Sequence, residues 1–231
     1  MVDLTVDRAG DVAGVLLAAG AGQRLGRPKA LVELGGVPLT ERGLGTLRAG
    51  GCRPVIVVLG AAADDVRRAC GLGDAVVVVN AAWSDGMGGS VRAGLAEARR
   101  CGASAVLVLA VDQPLITPAL VARLIGSWRE GAQAAVATYG GEMSTPVLLD
   151  RSLWPQVELH AVGDVGARAF LRRDPGVVTP VACDDVGDPS DVDTEDDLRR
   201  LEGQLATRRN IIATPGRRSG DSTPVRVWFE P

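Results

Sequence analysis

Four short runs of consecutive apolar residues, rich in valine, lie in the first half of the chain, at 12–18, 54–60, 75–80 and 104–112. A continuous apolar run of this length is typical of a strand buried on both faces, as in a parallel sheet covered by helices. Between the runs lie segments with apolar residues at helical spacing that end in glycine. This alternation predicts an α/β fold with a mostly parallel, doubly wound sheet between helices.

The second half of the chain continues the pattern less regularly. Its apolar runs predict two strands and its helical spacings predict three helices, namely strands at 134–139 and 145–150 and helices at 117–131, 164–173 and 193–205. Thr117 is predicted to cap the first of these helices, with Pro118 at its first position. Either Asp193 or Thr194 is predicted to cap the last one.

The C-terminal segment differs in composition from the rest of the chain. From Thr207 onward it is rich in Arg, Gly, Ser, Thr and Pro and has no helical periodicity, which is typical of a poorly ordered tail. Within it, 225–229 is a candidate edge strand. Because 46% of the chain is hydrophobic, the remainder has enough apolar material for one core. The sequence therefore predicts one domain at 1–206 and a poorly ordered tail at 207–231.

Charge and the lack of targeting signals limit the partners and the compartment. A formal net charge of -3 argues against nucleic acid as the main partner, because a polyanion binds a basic surface. No apolar run approaches the roughly 18 residues that span a bilayer, and the first residues lack the layout of a signal peptide. The four cysteines match no zinc or redox spacing. We therefore expect a cytoplasmic protein with no nucleic-acid or membrane partner.

The loop after the first apolar run combines three glycines with several cations, two of which we single out. Gly20, Gly22 and Gly26 let the backbone approach a ligand and present N–H groups to it. Arg24 and Lys29 add fixed positive charge, so the loop is a candidate polyphosphate site. It matches neither the dinucleotide fingerprint nor the Walker pattern. The alternative is a flexible surface loop with solvated cations.

A second glycine segment follows the third apolar run. Gly86, Gly88 and Gly89 precede Ser90, and a glycine-lined slot of this kind can accept a flat base. The alternative is that Ser90 is an ordinary N-cap of the next helix, which is also the local structure that we predict for it.

Carboxylates follow the fourth apolar run and recur near residue 190. Asp112 is the first charge after that run, at the predicted carboxyl end of a strand, where ligands of parallel sheets bind. Such a carboxylate can hold Mg²⁺, which takes one or two protein carboxylates plus phosphate oxygens. Asp191 and Asp193 alternate along an extended segment, so we expect only one of them to face the site directly. Helix capping and loop solvation are the alternatives.

The segment 163–168 places Asp164 and Arg168 at the predicted start of a helix, where they are candidates for a second substrate. A polar helix start explains them nearly as well. His160 is the only histidine, and we assign it no role.

Taken together, five stretches resemble, in order, the molybdenum cofactor nucleotidyltransferases, the MobA-like NTP transferases. They read "LLAAGAGQRLGRPKAL", "NAAWSDGMGGSVRAGL", "VLVLAVDQPLIT", "GDVGARAFL" and "DVDTEDDL". With its flanking residues, the resemblance covers residues 12 to about 201. The likeness is closest to the cytidylyl-transferring branch, because Ala19 precedes Gly20 and the strand before the metal position ends in "DQP".

The resemblance implies a Rossmann-like nucleotidyltransferase fold and a Mg²⁺-dependent reaction. A nucleoside monophosphate, with CMP favoured, is transferred from an NTP to a phosphorylated acceptor, and pyrophosphate is released. The implied acceptor is molybdopterin or its molybdenum form, with a molybdoenzyme as a further partner. The acceptor phosphate is already an anion, so no general base is required, which fits a site without a histidine.

The resemblance also implies roles for individual residues. The implied catalytic residues are Arg24, Lys29 and Asp112. The implied nucleotide-binding residues are Arg24 and Lys29 together with Ala18, Ala19, Gly20, Gly22, Gly86, Gly89 and Ser90. The implied metal ligands are Asp112 and either Asp191 or Asp193, and the implied acceptor residues are Thr145, Asp164 and Arg168.

One departure from the family pattern concerns the acceptor. Ser144 and Thr145 precede Pro146 where the family often has Gly-His-Pro, in a loop that faces the acceptor. This departure keeps open, beside molybdopterin, a sugar phosphate or another small organic phosphate as the acceptor. A further alternative is a nucleotide-binding cofactor chaperone without catalysis.

Overall fold

The structure is a computed structural model that describes residues 9–164 and 166–213. Its strands are β1 (Val12–Ala18), β2 (Glu33–Leu34), β3 (Val37–Pro38), β4 (Val55–Leu59), β5 (Val76–Val79), β6 (Ala105–Ala110), β7 (Ala134–Tyr139), β8 (Glu142–Asp150) and β9 (Val178–Ala182). Its α-helices are α1 (Leu39–Ala49), α2 (Ala63–Ala69), α3 (Met87–Arg100), α4 (Pro118–Arg129), α5 (Trp154–His160), α6 (Arg168–Arg173) and α7 (Glu195–Ala213). No helix within these ranges is long and apolar enough to cross a membrane.

Seven strands form one sheet in the order β5-β4-β1-β6-β8-β7-β9, and β2 and β3 form a separate two-stranded hairpin. Strands β5, β4, β1 and β6 are parallel to one another. β8 is antiparallel to both of its neighbours, and β9 is parallel to β7. The sheet is therefore mostly parallel and flanked by helices, which confirms the predicted fold class.

Both faces of the sheet are apolar because its central strands alternate between two cores. All seven residues of β1 are buried. Leu16 belongs to one core together with Leu44 of α1, whereas Val15 belongs to the other together with Val91 of α3. Burying one such side chain contributes roughly 1.5–3 kcal/mol relative to leaving it exposed. Polar side chains are thus absent from β1 and β6, and they follow at the carboxyl ends of these two strands.

The final helix is longer than predicted. Thr194 caps it, since the Asp197 N–H donates to the Thr194 hydroxyl at 3.2 Å and the Asp197 carboxylate accepts the Thr194 N–H at 3.0 Å. This selects Thr194 over Asp193 as the cap. α7 then runs to Ala213, past the expected boundary at 206, because the first helix-breaking residue beyond it is Pro215. The candidate strand at 225–229 lies outside the described residues.

Candidate active site

The site lies at the carboxyl ends of β1 and β6, which we call the carboxyl edge. The two strands are parallel neighbours, with Leu17 opposite Ala110. The Val111 N–H donates to the Leu17 carbonyl at 3.0 Å, and the Val192 N–H donates to the Asp112 carbonyl at 2.8 Å. These backbone bonds hold the loop after β6 against β1 and bring the acidic segment around residue 190 to the same edge.

Lys29 links the two acidic segments. Its Nζ lies 2.7 Å from Asp112 Oδ2 and 2.5 Å from Asp193 Oδ1, and its side chain is only 16% exposed. Burial by itself would lower the pKa of Lys29, but the two carboxylates outweigh that effect and raise it. Lys29 is also the only lysine in the sequence. The site therefore holds one ammonium group between two aspartates, which favour its charged form.

The arginines of the loop lie farther out. Arg24 pairs with Asp193 at 2.9 Å while its side chain stays 75% exposed. An exposed pair of this kind contributes little to stability, so the guanidinium is free to exchange Asp193 for an anionic ligand. Arg27, which sequence analysis did not single out, pairs with Glu195 at 2.9 Å. This second pair ties the loop to the first turn of α7.

Two of the loop glycines have different structural roles. Gly22 has a φ of +65°, and a Cβ placed there would lie 1.9 Å from the Arg27 carbonyl oxygen. Only glycine fits at this position. By contrast, nothing lies within 4 Å of a Cβ placed on Gly20. Gly22 therefore shapes the loop, and Gly20 leaves an open surface that a ligand can approach.

Ala18 and Ala19 form the packed base of the loop. They are only 4% and 7% exposed. The Ala19 carbonyl accepts the Ala61 N–H at 3.0 Å, and a Cβ on Gly60 would lie 2.9 Å from the Ala19 methyl group. The Ala19 methyl group thus faces the loop after β4, so any effect of this residue on a bound base is indirect.

Ser90 does not cap α3, so this prediction was wrong. Gly86 is the N-cap and the helix begins at Met87, which places Ser90 inside the first turn. Ser90 is buried, and its hydroxyl accepts a hydrogen bond from Asn80 Nδ2 at 3.1 Å. Asn80 thereby fastens the end of β5 to α3, a contact that sequence analysis missed.

The glycines of this second segment pack against the chain itself. A Cβ on Gly86 would lie 2.3 Å from the Gly163 carbonyl carbon, and one on Gly88 would lie 2.4 Å from the Ala161 carbonyl oxygen. The Gly88 N–H donates to the Gly163 carbonyl at 2.8 Å. Only Gly89 remains less crowded, with Asn80 Nδ2 at 3.2 Å from its hypothetical Cβ. Two of the three glycines therefore permit a close backbone contact.

A cavity of about 410 Å³ opens beside Asp112, and we call it the edge cavity. Asp191 lines it together with Asp112, whereas Asp193 contacts Lys29. The two late aspartates thus lie toward different partners, and which of them would face a bound metal ion stays a prediction. Between them, Val192 is held by the Asp112 carbonyl.

The carboxylates outnumber the cations at this edge. Desolvation first, and then the charges of Asp112 and Asp193, raise the pKa of Asp191. A divalent cation would offset this excess of negative charge. No group of three or more His, Cys, Asp or Glu residues in the described ranges forms a cage for a metal ion. This donor set fits Mg²⁺ or Mn²⁺, which is held by one or two carboxylates and completed by substrate phosphates.

The expected acceptor residues come together only in part. Thr145 and Asp164 line the edge cavity. Arg168 is the first residue of α6, four residues later than the predicted start of that helix, and its side chain lies outside the described part of the chain. Arg172, one turn further along, lines the cavity. Gln113 also lines it and was missed, although its position directly after the strand end was a usable signal.

The fold and the carboxyl edge define a nucleotidyltransferase-type α/β domain with a Rossmann-like sheet. Residues 14–177 match the family described as the MobA-like NTP transferase domain. The chain belongs to this family, as the five ordered motifs predicted.

Two relatives match this chain over nearly the whole of their own length. The chain is 42% identical over 198 residues to the nicotine blue oxidoreductase of Paenarthrobacter nicotinovorans, covering 82% of this chain and 96% of the relative. It is 34% identical over 197 residues to the molybdenum cofactor guanylyltransferase of Rhodobacter capsulatus, covering 84% and 96%.

A solved structure is similar over the same extent. The manganese complex of Rv0371c from Mycobacterium tuberculosis H37Rv superposes with a TM-score of 0.71 at 30% identity, covering 84% of this chain and 98% of that one.

Proposed function

We propose that the protein is a cytoplasmic, divalent-metal-dependent nucleotidyltransferase. It moves a nucleoside monophosphate, CMP in preference to GMP, from an NTP to a phosphorylated acceptor, molybdopterin or its molybdenum form. The observation that carries this proposal is the contact of Lys29 with Asp112 and Asp193 beside the open surface of Gly20.

The donor triphosphate is expected to lie along the loop between Gly20 and Lys29. Backbone N–H groups of this loop bind its oxygens, and Arg24 moves from Asp193 to the outer phosphates. Lys29 stays between the carboxylates and offsets the charge that builds on the α-phosphate oxygens in the transition state. Removing one such fixed group costs about 10²–10³ in rate in comparable oxyanion sites.

The reaction is an in-line displacement at the α-phosphorus. An oxygen of the acceptor phosphate forms the new P–O bond, the bond to the β-phosphate bridging oxygen breaks, and pyrophosphate leaves. Asp112 and one of Asp191 and Asp193 would hold the divalent cation. When bound, that cation neutralises charge on the bridging and equatorial oxygens. Manganese in a related structure supports a divalent metal, with Mg²⁺ as the proposed physiological ion.

The preference for CTP rests on the likeness of "LAAG" and "DQP" to the cytidylyl branch. Ala19 acts through its contact with the loop after β4, and one methyl group discriminates by only about 1–3 kcal/mol. Backbone groups near Gly89 are proposed to read the base edge. The relative named as a guanylyltransferase makes GTP the competing donor.

A second candidate function is suggested by the relative named as an oxidoreductase. That relative is 42% identical to this chain, and the match covers 96% of the relative. The apolar floor of the edge cavity, which includes Leu17, Val108 and Val147, would equally accept a flat aromatic compound. Reduction of such a compound would need a hydride donor and would release no pyrophosphate, so the two functions are separable by assay.

The test is a pyrophosphate-release assay with Mg²⁺ or Mn²⁺, molybdopterin, and CTP, GTP or ATP. Nucleotidyl transfer predicts release that depends on both donor and acceptor, with the highest kcat/KM for CTP. A higher value for GTP would reject the donor preference and keep the reaction class. A sugar phosphate that outperforms molybdopterin would reassign the acceptor. The absence of release with every pair, together with NAD(P)H oxidation in the presence of a quinoid dye, would favour the oxidoreductase.

A further inference from the structure

The charges around the edge cavity are unequal. Of the charged residues in the described part of the chain that line it, Asp112, Asp164 and Asp191 are anionic, and Arg172 is the only cation. Arg172 forms no ion pair with any residue in the described ranges. A phosphorylated molecule that enters this cavity therefore has one cation of the lining, the exposed Arg172, to pair with. A carboxylate-rich wall would otherwise repel it.

Gln113 fixes the polarity of the wall between β6 and β8. It is only 5% exposed, so its amide must be paired within the protein. Nε2 donates to the Pro189 carbonyl at 3.3 Å. A backbone carbonyl can only accept a hydrogen bond, so the NH₂ group lies on that side. The amide oxygen therefore faces Thr145.

Thr145 consequently has a fixed role as well. Its hydroxyl donates to Gln113 Oε1 at 2.6 Å. A threonine hydroxyl has one proton and two lone pairs, so this bond uses its only proton. Toward the cavity Thr145 can then only accept a hydrogen bond. A phosphate, which at neutral pH is predominantly an acceptor, is a poor partner for it.

We infer that the edge cavity binds the second substrate in one orientation, with its anionic group at Arg172 and an N–H or O–H donor at Thr145. This inference deepens the proposed function and rests on it for the identity of the substrate. It assigns Arg172 and Thr145 as specificity-determining residues, and Gln113 as the positioning residue that makes Thr145 an acceptor.

The test is a binding measurement without NTP, so it does not depend on turnover. The probes are 6-hydroxymethylpterin and its phosphate ester, which share ring donors and differ in the anionic group, and the readout is the anisotropy of pterin fluorescence. Four variants are compared with the unmodified chain: Arg172→Ala, Arg173→Ala, Thr145→Val and Thr145→Ser. Arg173 is the matched control, because it is the next residue on α6 and does not line the cavity.

Arg172→Ala is expected to weaken binding of the phosphate ester by about 10- to 100-fold, the range for a charge-assisted hydrogen bond. It is expected to leave binding of the unphosphorylated pterin unchanged. Thr145→Val is expected to weaken both probes by about 3- to 10-fold, whereas Thr145→Ser and Arg173→Ala bind like the unmodified chain. If Thr145→Val melts early because Gln113 Oε1 loses its donor, Thr145→Ala replaces it, since the smaller side chain admits a water molecule.

Three results would overturn the inference: equal effects of Arg172→Ala on both probes, unchanged binding by the Thr145 variants that lack the hydroxyl, or no saturable binding of either probe to the unmodified chain. Pterin binding without pyrophosphate release would instead reject the proposed function and leave the two residue assignments standing. Pyrophosphate release together with unchanged pterin binding by the Arg172 and Thr145 variants would support the proposed function and reject the two residue assignments.

Discussion

The two sides of the carboxyl edge are built in different ways. On the donor side, one loop of ten residues, 20–29, supplies the open glycine surface together with Arg24 and Lys29. On the acceptor side, the residues come from five separate segments: Gln113, Thr145, Asp164, Arg172 and Asp191. A contiguous loop shows its spacing in the sequence, whereas a wall assembled from distant segments exists only after folding. Asp112 lies where the two sides meet.

The largest effect is expected for Asp112→Asn. The substitution keeps the shape of the side chain and removes the charge that pairs with Lys29 and holds the divalent cation. Transfer should fall by about 10³-fold or more, with little change in melting temperature, as measured by pyrophosphate release and a thermal melt. Asp74→Asn is the control, because Asp74 is an 82% exposed partner of Arg48 far from this edge. Full activity of Asp112→Asn at saturating NTP would contradict the metal assignment.

Lys29→Ala should follow, with a loss of about 10²- to 10³-fold in kcat. Arg24→Ala should cost less, about 10- to 10²-fold, because its guanidinium is largely exposed and screened. Single-turnover rates per folded molecule make the comparison. Equal losses for both variants would mean that the exposed cation is as important as the buried one, and a loss explained by unfolding would make Lys29 structural.

The glycine contrast sharpens the description of the donor loop. Gly22→Ala places a side chain on a left-handed backbone, with its Cβ 1.9 Å from the Arg27 carbonyl oxygen. It should therefore lower the melting temperature and reduce kcat/KM for NTP by about tenfold or more. Gly20→Ala should leave the melting temperature unchanged and raise only the KM for NTP. If the two variants had similar melting temperatures and similar kinetics, Gly22 could not be assigned to the shape of the loop and Gly20 to contact with the ligand.

A smaller effect is expected in the reactivity of the only lysine. Because its carboxylate neighbours raise the pKa of Lys29, less neutral amine is present at pH 8.5 than for an ordinary lysine, and acylation should be slow. Asp193→Asn removes one neighbour and lowers this pKa, so the neutral fraction rises and labelling should accelerate by about 3- to 10-fold. Intact-mass spectrometry reads a single addition besides the terminal amine. NTP with Mn²⁺ should slow the reaction, and an absence of protection would place the triphosphate elsewhere.

The smallest effect is expected for a deletion. Removal of residues 214–231 should leave transfer and melting temperature unchanged, because the composition there is that of a solvated segment. The cut follows α7, which ends at Ala213, and keeps the described part of the proposed domain whole. Aggregation or loss of activity would show that the tail belongs to the domain.

Local patterns explain how much of this could be predicted. The four valine-rich runs each became a strand of the sheet within one or two residues of the predicted bounds. Burial on both faces explains β1 and β4, which are buried throughout, whereas β5 lies at the sheet edge and is only partly buried, so that expectation was wrong for it. Lys29 and Asp112 were singled out because each follows a strand end. The error at Ser90 arose because the N-cap of α3 is Gly86, one turn before Ser90. A glycine has no side chain that would mark it as a cap in the sequence.

The acceptor side could not be derived in the same way. Gln113 reaches Thr145 and Pro189 across 32 and 76 residues of sequence, and nothing local encodes those distances. Arg172 lines the edge cavity and was not singled out, and the Arg168 side chain lies outside the described part of the chain. The segment of Asp191 and Asp193 is held by a backbone bond to Asp112 and not by strand pairing, so its sequence did not show that Asp191 would line the edge cavity and Asp193 would contact Lys29.

The most direct test of the central claim, that the carboxyl edge transfers a nucleotide, is the mass of the product. Molybdopterin is incubated with Mn²⁺ and each NTP in turn, with the unmodified chain or with Asp112→Asn. We predict a new species heavier by one nucleoside monophosphate, formed with an equal amount of pyrophosphate by the unmodified chain and nearly absent with Asp112→Asn. Unchanged molybdopterin with every NTP, or equal product from both chains, would contradict the claim.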